Sequence, residues 1–239
     1  MQEKIQKLKK WIDASHHIVF FGGAGVSTES GIPDFRSKDG LYHQTYQYPP
    51  ESILSASFFH KHTDEFYRFY KDKMNSLSYA PNITHQKLTQ LEQQGKLDAI
   101  ITQNIDGLHQ KAGSKNVLEL HGSILRNYCM KCHQFYHADA VFQSPELVPT
   151  CSCGGIIKPD VVLYEENLDD VTLEHAIKAI QRAEMLIIGG TSLTVFPASS
   201  LIYYFKGRYL VLINQDTTLY DTQVDLLIQD KLGNVFQQL

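Results

Sequence analysis

The residues best suited to bind a nucleotide come directly after a short apolar run, Ile18–Phe21, which has the composition of a buried strand. Glycines at positions 22, 23 and 25 follow, and glycine lets a backbone turn sharply and approach a ligand closely. Hydroxyl side chains then lie at a predicted helix start, where free N–H groups attract anions: Ser27, Thr28 and Ser30. The pattern predicts a phosphate-binding turn, although a tight strand–helix turn without a ligand would need the same glycines. Three groups able to grip a nucleotide come next and favour the first interpretation: Asp34, Phe35 and Arg36.

A second polar segment, residues 102–109, follows another apolar run. Gln103 and Asn104 both donate and accept hydrogen bonds, which suits ribose hydroxyls, and Asp106 could accept from an amide. The same residues are typical of a capped helix start, with Asn104 or Asp106 as the N-cap. Both interpretations are compatible with one another.

His121 is the candidate general base, because histidine titrates near neutral pH and this one follows a third apolar run. A single histidine is more often a structural residue, as we expect of His85 in its helical stretch. His121 differs in its position, at the end of a predicted strand where the other polar candidates also lie.

Four cysteines form two close pairs, Cys129-x2-Cys132 and Cys151-x-Cys153, separated by eighteen residues. Two pairs of thiolates on short turns match tetrahedral zinc, and a site filled by four protein ligands is structural. The single residue within the second pair departs from the usual spacing. Residues 129–133 also match the haem attachment signature C-x-x-C-H, but the second cysteine pair disfavours haem. A thioredoxin-like redox pair is disfavoured because no helical pattern begins at Cys129.

The candidate residues can form one site only if strands and helices bring them together. Along the chain, apolar runs typical of strands alternate with helical patterns. The runs predict strands at 18–21, 98–101, 117–120, 185–188 and 209–213, with a weaker one at 226–228, and helices at 82–94, 170–182 and 197–206. This alternation predicts an α/β fold with a parallel sheet covered by helices on both faces. Ligands bind such sheets beyond the carboxyl ends of the strands, which is where the polar candidates lie.

Residues 38–80 and 126–157 interrupt the alternation, and the first of these stretches has a helical pattern over 56–75. The two stretches predict a smaller second domain with a substrate cleft between the two domains. The net charge of −4 argues against direct nucleic-acid binding. No apolar run reaches the roughly 18 residues that cross a bilayer, so we expect no membrane association. The amphipathic start of the chain is typical of a packed helix rather than a signal peptide, which predicts a cytoplasmic protein.

Together these motifs resemble the ordered motif set of the sirtuins, the Sir2 family of NAD-dependent protein-lysine deacylases, in their bacterial form. The resemblance extends from about residue 5 to the C-terminus. The matching segments are Gly23–Ser27, Gly31–Arg36, Thr102–Asp106, Leu120–Gly122, the four cysteines, Gly190–Leu193 and Ile213–Asn214.

The resemblance implies a Rossmann-like NAD-binding domain of residues 1–37, 81–125 and 158–239. It implies a small domain of residues 38–80 and 126–157, combining a helical insertion with a module that holds one structural zinc ion. NAD would lie in the cleft between them. The residues it assigns to NAD are Ala24, Thr28, Phe35, Arg36, Gln103, Ile105, Asp106, His121, Thr191, Ser192, Asn214 and Leu232.

The implied reaction transfers the acetyl group from lysine to ADP-ribose and releases nicotinamide and O-acetyl-ADP-ribose. His121 would be the general base on the ribose hydroxyls, and Asn104 would orient ribose and water. A protein mono-ADP-ribosyltransferase on the same scaffold is the alternative. A non-catalytic NAD-binding module is a further one, disfavoured by the presence of His121. A nicotinamide dehydrogenase is disfavoured because the glycines do not follow G-x-G-x-x-G.

The implied partners are acetylated lysines of proteins or peptides, with the peptide adding a strand between residues 160–165 and 193–195. The predicted substrate contacts are Val162, Tyr164, Glu165 and Val195. Tyr164 and Glu165 stand where the family usually has Phe-Gly, and the Glu165 carboxylate could favour basic residues near the target lysine. In desuccinylating members a Tyr-x-x-Arg pair binds the acyl carboxylate. Here Tyr67 and Tyr70 match it without the guanidinium, which predicts deacetylation above desuccinylation.

Overall fold

The computed structural model describes residues 1–34 and 47–239, so the predicted contacts Phe35 and Arg36 lie outside the described residues. The strands are β1 (Ile18–Gly22), β2 (Leu97–Thr102), β3 (Val117–Glu119), β4 (Gly122–Cys129), β5 (Phe135–His137), β6 (Ile157–Val161), β7 (Met185–Gly189), β8 (Tyr209–Asn214) and β9 (Leu226–Gln229). The α-helices are α1 (Gln2–Ala14), α2 (Pro50–Ile53), α3 (Ala56–Lys61), α4 (Thr63–Lys73), α5 (Ile83–Gln93), α6 (Leu108–Ala112), α7 (Asp139–Phe142), α8 (Asp170–Arg182) and α9 (Leu232–Phe236).

The larger sheet has six strands in the order β3-β2-β1-β7-β8-β9, and every neighbouring pair in it is parallel. The predicted strands are therefore confirmed, including the weak one that became β9. The chain runs outward from β1 on one side and from β7 on the other. A crevice forms where two such halves meet. Gly22 pairs with Thr102 of β2 and with Gly189 of β7, so the carboxyl ends of these three strands lie side by side at one edge of the sheet.

Helices cover both faces of this sheet, as the continuous burial of β1 and β7 requires. One face packs against α1, α5 and α9 through a cluster that includes Leu8, Leu88 and Phe236. The other packs against α8 and a 3-10 segment, Ala198–Tyr204, through residues that include Ile180. The predicted α/β class with a doubly covered parallel sheet is confirmed.

A second, antiparallel sheet of order β5-β4-β6 packs with α2, α3, α4 and α7 around its own apolar cluster. The four cysteines lie at this sheet, with Cys129 at the end of β4. The predicted domain boundaries near residues 125 and 158 fall within β4 and β6, and they stay a prediction.

Three predicted helices differ in form from the expectation. Residues 24–30 make two short 3-10 turns, ended by Gly31 in the left-handed region (φ 94°), where glycine is the favoured residue. The stretch 56–75 divides into α3 and α4 because His62 has a non-helical backbone (φ −135°, ψ 51°). The stretch 197–206 is 3-10 rather than α. In the described ranges, no helix combines the length and the hydropathy that crossing a membrane requires.

Candidate active site

A cavity of about 500 Å³ opens at the carboxyl ends of β1, β2, β7 and β8 and extends to the segment that follows β6. All the predicted catalytic, NAD-binding and substrate residues that the structure describes lie on its wall. These residues are Ala24, Thr28, Gln103, Asn104, Ile105, Asp106, His121, Val162, Tyr164, Glu165, Thr191, Ser192, Val195, Asn214 and Leu232. The structure thus brings them together from segments far apart in the chain, while their individual roles stay predictions.

The glycine turn after β1 packs directly on the turn after β7. The Gly25 N–H donates to the Gly190 carbonyl at 2.8 Å, and a Cβ on Gly25 would lie 2.7 Å from the Gly190 Cα. Any side chain at position 25 would push the two turns apart. The glycines therefore have a structural purpose and also leave bare backbone at the cavity, as a phosphate site requires.

Asp106 is held by a short network that connects the glycine turn to the segment after β2. Ser27 Oγ donates to Asp106 Oδ2 at 2.6 Å, and Asn104 Nδ2 donates to Ser27 Oγ at 3.1 Å. Asp106 Oδ1 also accepts from the Leu108 N–H at the start of α6, so the capping interpretation holds as well. Burial raises the pKa of Asp106, and the hydrogen bonds from Ser27 and Leu108 oppose that rise. The sequence indicates Ser27 as a phosphate partner, and it carries no signal for this second contact.

Gln103 offers a buried donor toward a ligand. Its Oε1 accepts from Thr191 Oγ1 at 2.9 Å, which fixes the amide between β2 and β7. Its Nε2 is buried and has no hydrogen-bond partner within residues 1–34 and 47–239. An unpaired buried amide is costly, so this donor favours a bound molecule that accepts a hydrogen bond. The donor and the bare turn fit the predicted NAD.

His121 has a defined tautomer. Its Nδ1 lies 2.9 Å from the Gln103 carbonyl oxygen, and since a carbonyl only accepts, Nδ1 must carry the proton. Nε2 then holds the lone pair. Burial lowers the pKa of His121, with the Gln103 hydrogen bond opposing it, so the ring is neutral at pH 7. A neutral imidazole on the cavity wall can accept a proton.

The predicted substrate segment is already paired on one side. The Tyr164 N–H donates to the Leu54 carbonyl at 2.9 Å, and the Tyr164 carbonyl accepts from the Ala56 N–H at 3.0 Å. Because the N–H and the carbonyl of Tyr164 already bond to the protein, a substrate strand has to pair with other backbone groups of this segment. The Glu165 carboxylate accepts from the N–H and the hydroxyl of Ser57, at 2.8 and 2.9 Å. A basic substrate side chain would have to share this carboxylate with Ser57.

The four cysteine sulfurs lie within 4.8 Å of one another. Cys129 Sγ lies 3.5 Å from Cys153 Sγ, and Cys132 Sγ lies 3.6 Å from Cys151 Sγ, so neither pair is a disulfide. The pKa of Cys151 is lowered to about 6, first by the Cys153 N–H and then by the Tyr136 hydroxyl, which donates to its sulfur at 3.0 Å. Four thiols, one of them readily ionised, fit a zinc ion that all four would hold.

Glu29 and Arg126 make contacts near the site that had no local signal in the sequence. Glu29 Oε2 accepts from the Gly233 N–H at 2.7 Å and so ties the glycine turn to α9. Arg126 reaches from β4 to Glu119 Oε2 at 2.5 Å and to Asp160 Oδ2 at 2.8 Å. Glu119 lies two residues before His121, so Arg126 supports the strand end that carries the imidazole.

Comparison with known proteins agrees with this geometry. Residues 23–197 match the model of the Sir2 family. The chain belongs to the Sir2 family. The NAD-dependent protein deacetylase of Clostridium acetobutylicum is 56% identical to it over 238 residues, which are 98% of this chain and 97% of the relative. The protein of the same name from Clostridium perfringens is 57% identical over 239 residues, with 98% of each chain covered.

Solved Sir2 structures share the fold of this family member over nearly its whole length. A Sir2 variant with a deacetylated p53 peptide and 3′-O-acetyl ADP-ribose matches it with a TM-score of 0.91 at 36% identity, covering 98% of this chain and 96% of that chain. Sir2 with a p53 peptide and NAD⁺ matches with a TM-score of 0.88 at 37% identity and the same coverage. The predicted Sir2 resemblance is confirmed.

Proposed function

We propose that the protein is an NAD-dependent protein-lysine deacetylase that moves the acetyl group of an acetylated protein or peptide lysine onto ADP-ribose. Nicotinamide and O-acetyl-ADP-ribose are the other products. The observation that carries the proposal is His121, a neutral imidazole with its Nδ1 proton held by the Gln103 carbonyl, on a cavity at the carboxyl edge of the sheet. When bound, NAD supplies the ribose carbon to which the acyl oxygen bonds as nicotinamide leaves.

His121 Nε2 takes the proton from a ribose hydroxyl, because Nδ1 is already protonated and fixed. The charge that forms on the ring is shared through the Nδ1–H bond to the Gln103 carbonyl. Asn104, whose amide is oriented by Ser27, places the ribose and the attacking water. Burial of the site keeps other water away from the reacting carbon.

We assign the remaining parts of NAD to residues that line the cavity. The bare glycine turn with Ala24 and Thr28 holds the phosphates. The resemblance assigns Arg36 to the phosphate and ribose side and Phe35 to the nicotinamide ribose, and both residues lie outside the described residues. Asp106 and Gln103 provide an acceptor and a donor for the carboxamide of nicotinamide, beside Ile105. The adenosine half lies against Thr191, Ser192, Asn214 and Leu232.

The substrate chain lies against Val162, Tyr164, Glu165 and Val195, which border the same cavity. Zinc has a structural purpose, because four cysteines leave it no open coordination position. We assign residues 1–37, 81–125 and 158–239 to the NAD-binding domain and residues 38–80 and 126–157 to the small domain. The separate apolar cluster of the small sheet supports a second domain, and Ile124, Val161 and Leu163 join it from the NAD-binding side of the proposed boundaries. Four free thiols favour a reducing compartment, so we place the protein in the cytoplasm.

The deciding experiment incubates the protein with NAD and an acetyl-lysine peptide and follows the peptide by mass spectrometry. We expect loss of the acetyl mass, appearance of O-acetyl-ADP-ribose, and neither product with His121→Ala. His175→Ala is the control, because His175 is exposed on α8. Addition of ADP-ribose to the peptide would instead support the transferase alternative, which the deacetylase names of the relatives do not favour. Binding of NAD without turnover would contradict both.

A further inference from the structure

Tyr70 forms part of the cavity wall at the end of α4 and is completely buried. Its ring is stacked on Phe66, with centroids 5.4 Å apart, and on Phe142, with centroids 5.5 Å apart. Both ring pairs are nearly parallel, at 16° and 10°. Stacking on two aromatic neighbours fixes the ring plane and therefore the position of the hydroxyl.

The Tyr70 hydroxyl is buried without a hydrogen-bond partner in the described part of the chain. Tyr67, one turn earlier on the same helix, is different, because its hydroxyl donates to the Ile157 carbonyl at 2.6 Å. Leaving a buried hydroxyl unpaired is unfavourable, and a ligand that pairs with it removes that cost. Burial raises the pKa of Tyr70 well above its usual value, so the hydroxyl keeps its proton and both donates and accepts.

The surroundings favour a neutral polar group over a carboxylate. Met74 and Leu163 are apolar neighbours on the same wall and would contact carbon atoms of a ligand. Asp160 places negative charge near enough to act on Tyr70. Lys73 also borders the cavity, but its Nζ lies 3.0 Å from Asp72 Oδ2, so its charge is already paired with a carboxylate. A hydroxyl matches a neutral phenol that both donates and accepts, whereas the described residues of this wall offer a carboxylate no guanidinium.

We propose that Tyr70 selects acyl groups that carry a hydroxyl, so that the enzyme removes 2-hydroxyacyl or 3-hydroxyacyl groups from lysine in preference to the unsubstituted acyl groups of equal chain length. This rests on the proposed deacylase function and names a substrate class for the same site. Tyr70 contributes one hydrogen bond to the bound acyl chain, and the transfer reaction itself is unchanged.

The test compares kcat/KM for two matched pairs of acyl-lysine peptides, lactoyl with propionyl and 3-hydroxybutyryl with butyryl, each with NAD. In the unmodified enzyme we expect at least one hydroxylated member to be preferred, and Tyr70→Phe to reduce that preference about 3- to 10-fold. Tyr67→Phe is the matched control, because it deletes a hydroxyl from the same helix that is already bonded to the protein. The Tyr67→Phe ratios should equal those of the unmodified enzyme.

The proposal is overturned if both hydroxylated peptides react more slowly than their partners in the unmodified enzyme, or if Tyr70→Phe leaves both ratios unchanged. If Tyr70→Phe does not fold, the ratios of the unmodified enzyme decide alone. The acetyl-lysine peptide serves as a separate reference. No turnover of that peptide would refute the proposed function, whereas its turnover with unfavourable ratios would refute only the selection by Tyr70.

Discussion

His121 and the pair formed by His85 and His109 are all imidazoles whose pKa is lowered by burial. His121 borders the cavity and has its Nδ1 bonded to a carbonyl. His85 and His109 instead pack against one another, with ring centroids 4.7 Å apart, between α5 and α6. Their nitrogens are unpaired among the described residues, except that His85 Nδ1 accepts from the Asn82 N–H. Burial alone therefore does not distinguish a catalytic histidine from a structural one. His121 differs from the pair in its access to the cavity and its fixed tautomer, which are the features on which its proposed role as general base depends.

The strongest test of this difference is His121→Gln. Removal of a general base typically costs 10²–10⁴-fold in rate, so we expect kcat/KM for an acetyl-lysine peptide to fall by at least about 100-fold. The melting temperature should change little, because the amide fits the same partly open wall. Steady-state kinetics and thermal unfolding measure the two effects. A fall of less than about tenfold would mean that His121 is as structural as His85.

His85 and His109 should affect the stability of the protein at low pH rather than its catalytic rate. In the unfolded chain an imidazole gains its proton near pH 6.5, whereas burial lowers the pKa of His85 to about 4. The unfolded state therefore binds more protons between these values, so stability is complete above about pH 6.5 and declines as the pH falls toward about 4. For His85 alone the decline is about 3 kcal/mol, and His109 adds to it.

Urea unfolding at several pH values between 7 and 4.5 measures this decline. His109→Phe removes one of the two titrating rings and should flatten the dependence on pH, whatever its effect at pH 7. His175→Ala, on the exposed face of α8, should leave the dependence unchanged. Equal slopes for His109→Phe and the unmodified protein would contradict the assignment of the acid sensitivity to this pair.

The sequence predicted the parts of the molecule that local patterns encode. Apolar runs predicted the ends of β1, β2 and β7 and the position of His121, and residue spacing predicted the cysteine cluster. Strand ends and metal-binding turns can be predicted in this way because they are short-range features. The contacts that orient these parts were not predictable in the same way. Ser27 meets Asp106 across 79 positions of sequence, and Glu29 meets Gly233 across 204. Such pairings depend on the register and packing of the finished sheet.

One of these long-range contacts adds a further difference between the two histidine regions. In the cavity, the carboxylate of Asp106 is largely buried and accepts a hydrogen bond from the Ser27 hydroxyl. In Ser27→Ala, Asp106 loses its 2.6 Å hydrogen bond, and its pKa should rise further since that bond opposes the effect of burial. We expect KM for NAD to rise about tenfold. The acidic limb of the pH–rate profile should also move to higher pH, and Ser27→Thr should restore both. An unchanged acidic limb would show that Asp106 does not need the hydroxyl.

The smallest effect concerns the strand end that carries His121, for which the His85–His109 pair has no counterpart. Arg126 joins Glu119, two residues before His121, to Asp160, two residues before Val162, and the Val162 N–H donates to the His121 carbonyl at 2.9 Å. In Arg126→Lys a single ammonium replaces the fork that reaches both carboxylates.

We expect Arg126→Lys to lower kcat/KM about 3- to 10-fold, with most of the change in KM for the peptide. Because Arg126 is partly exposed, the loss of stability should stay below about 1.5 kcal/mol. Steady-state kinetics with varied peptide, beside urea unfolding, separate the two effects. A loss of stability without a change in KM would place Arg126 with the purely structural contacts.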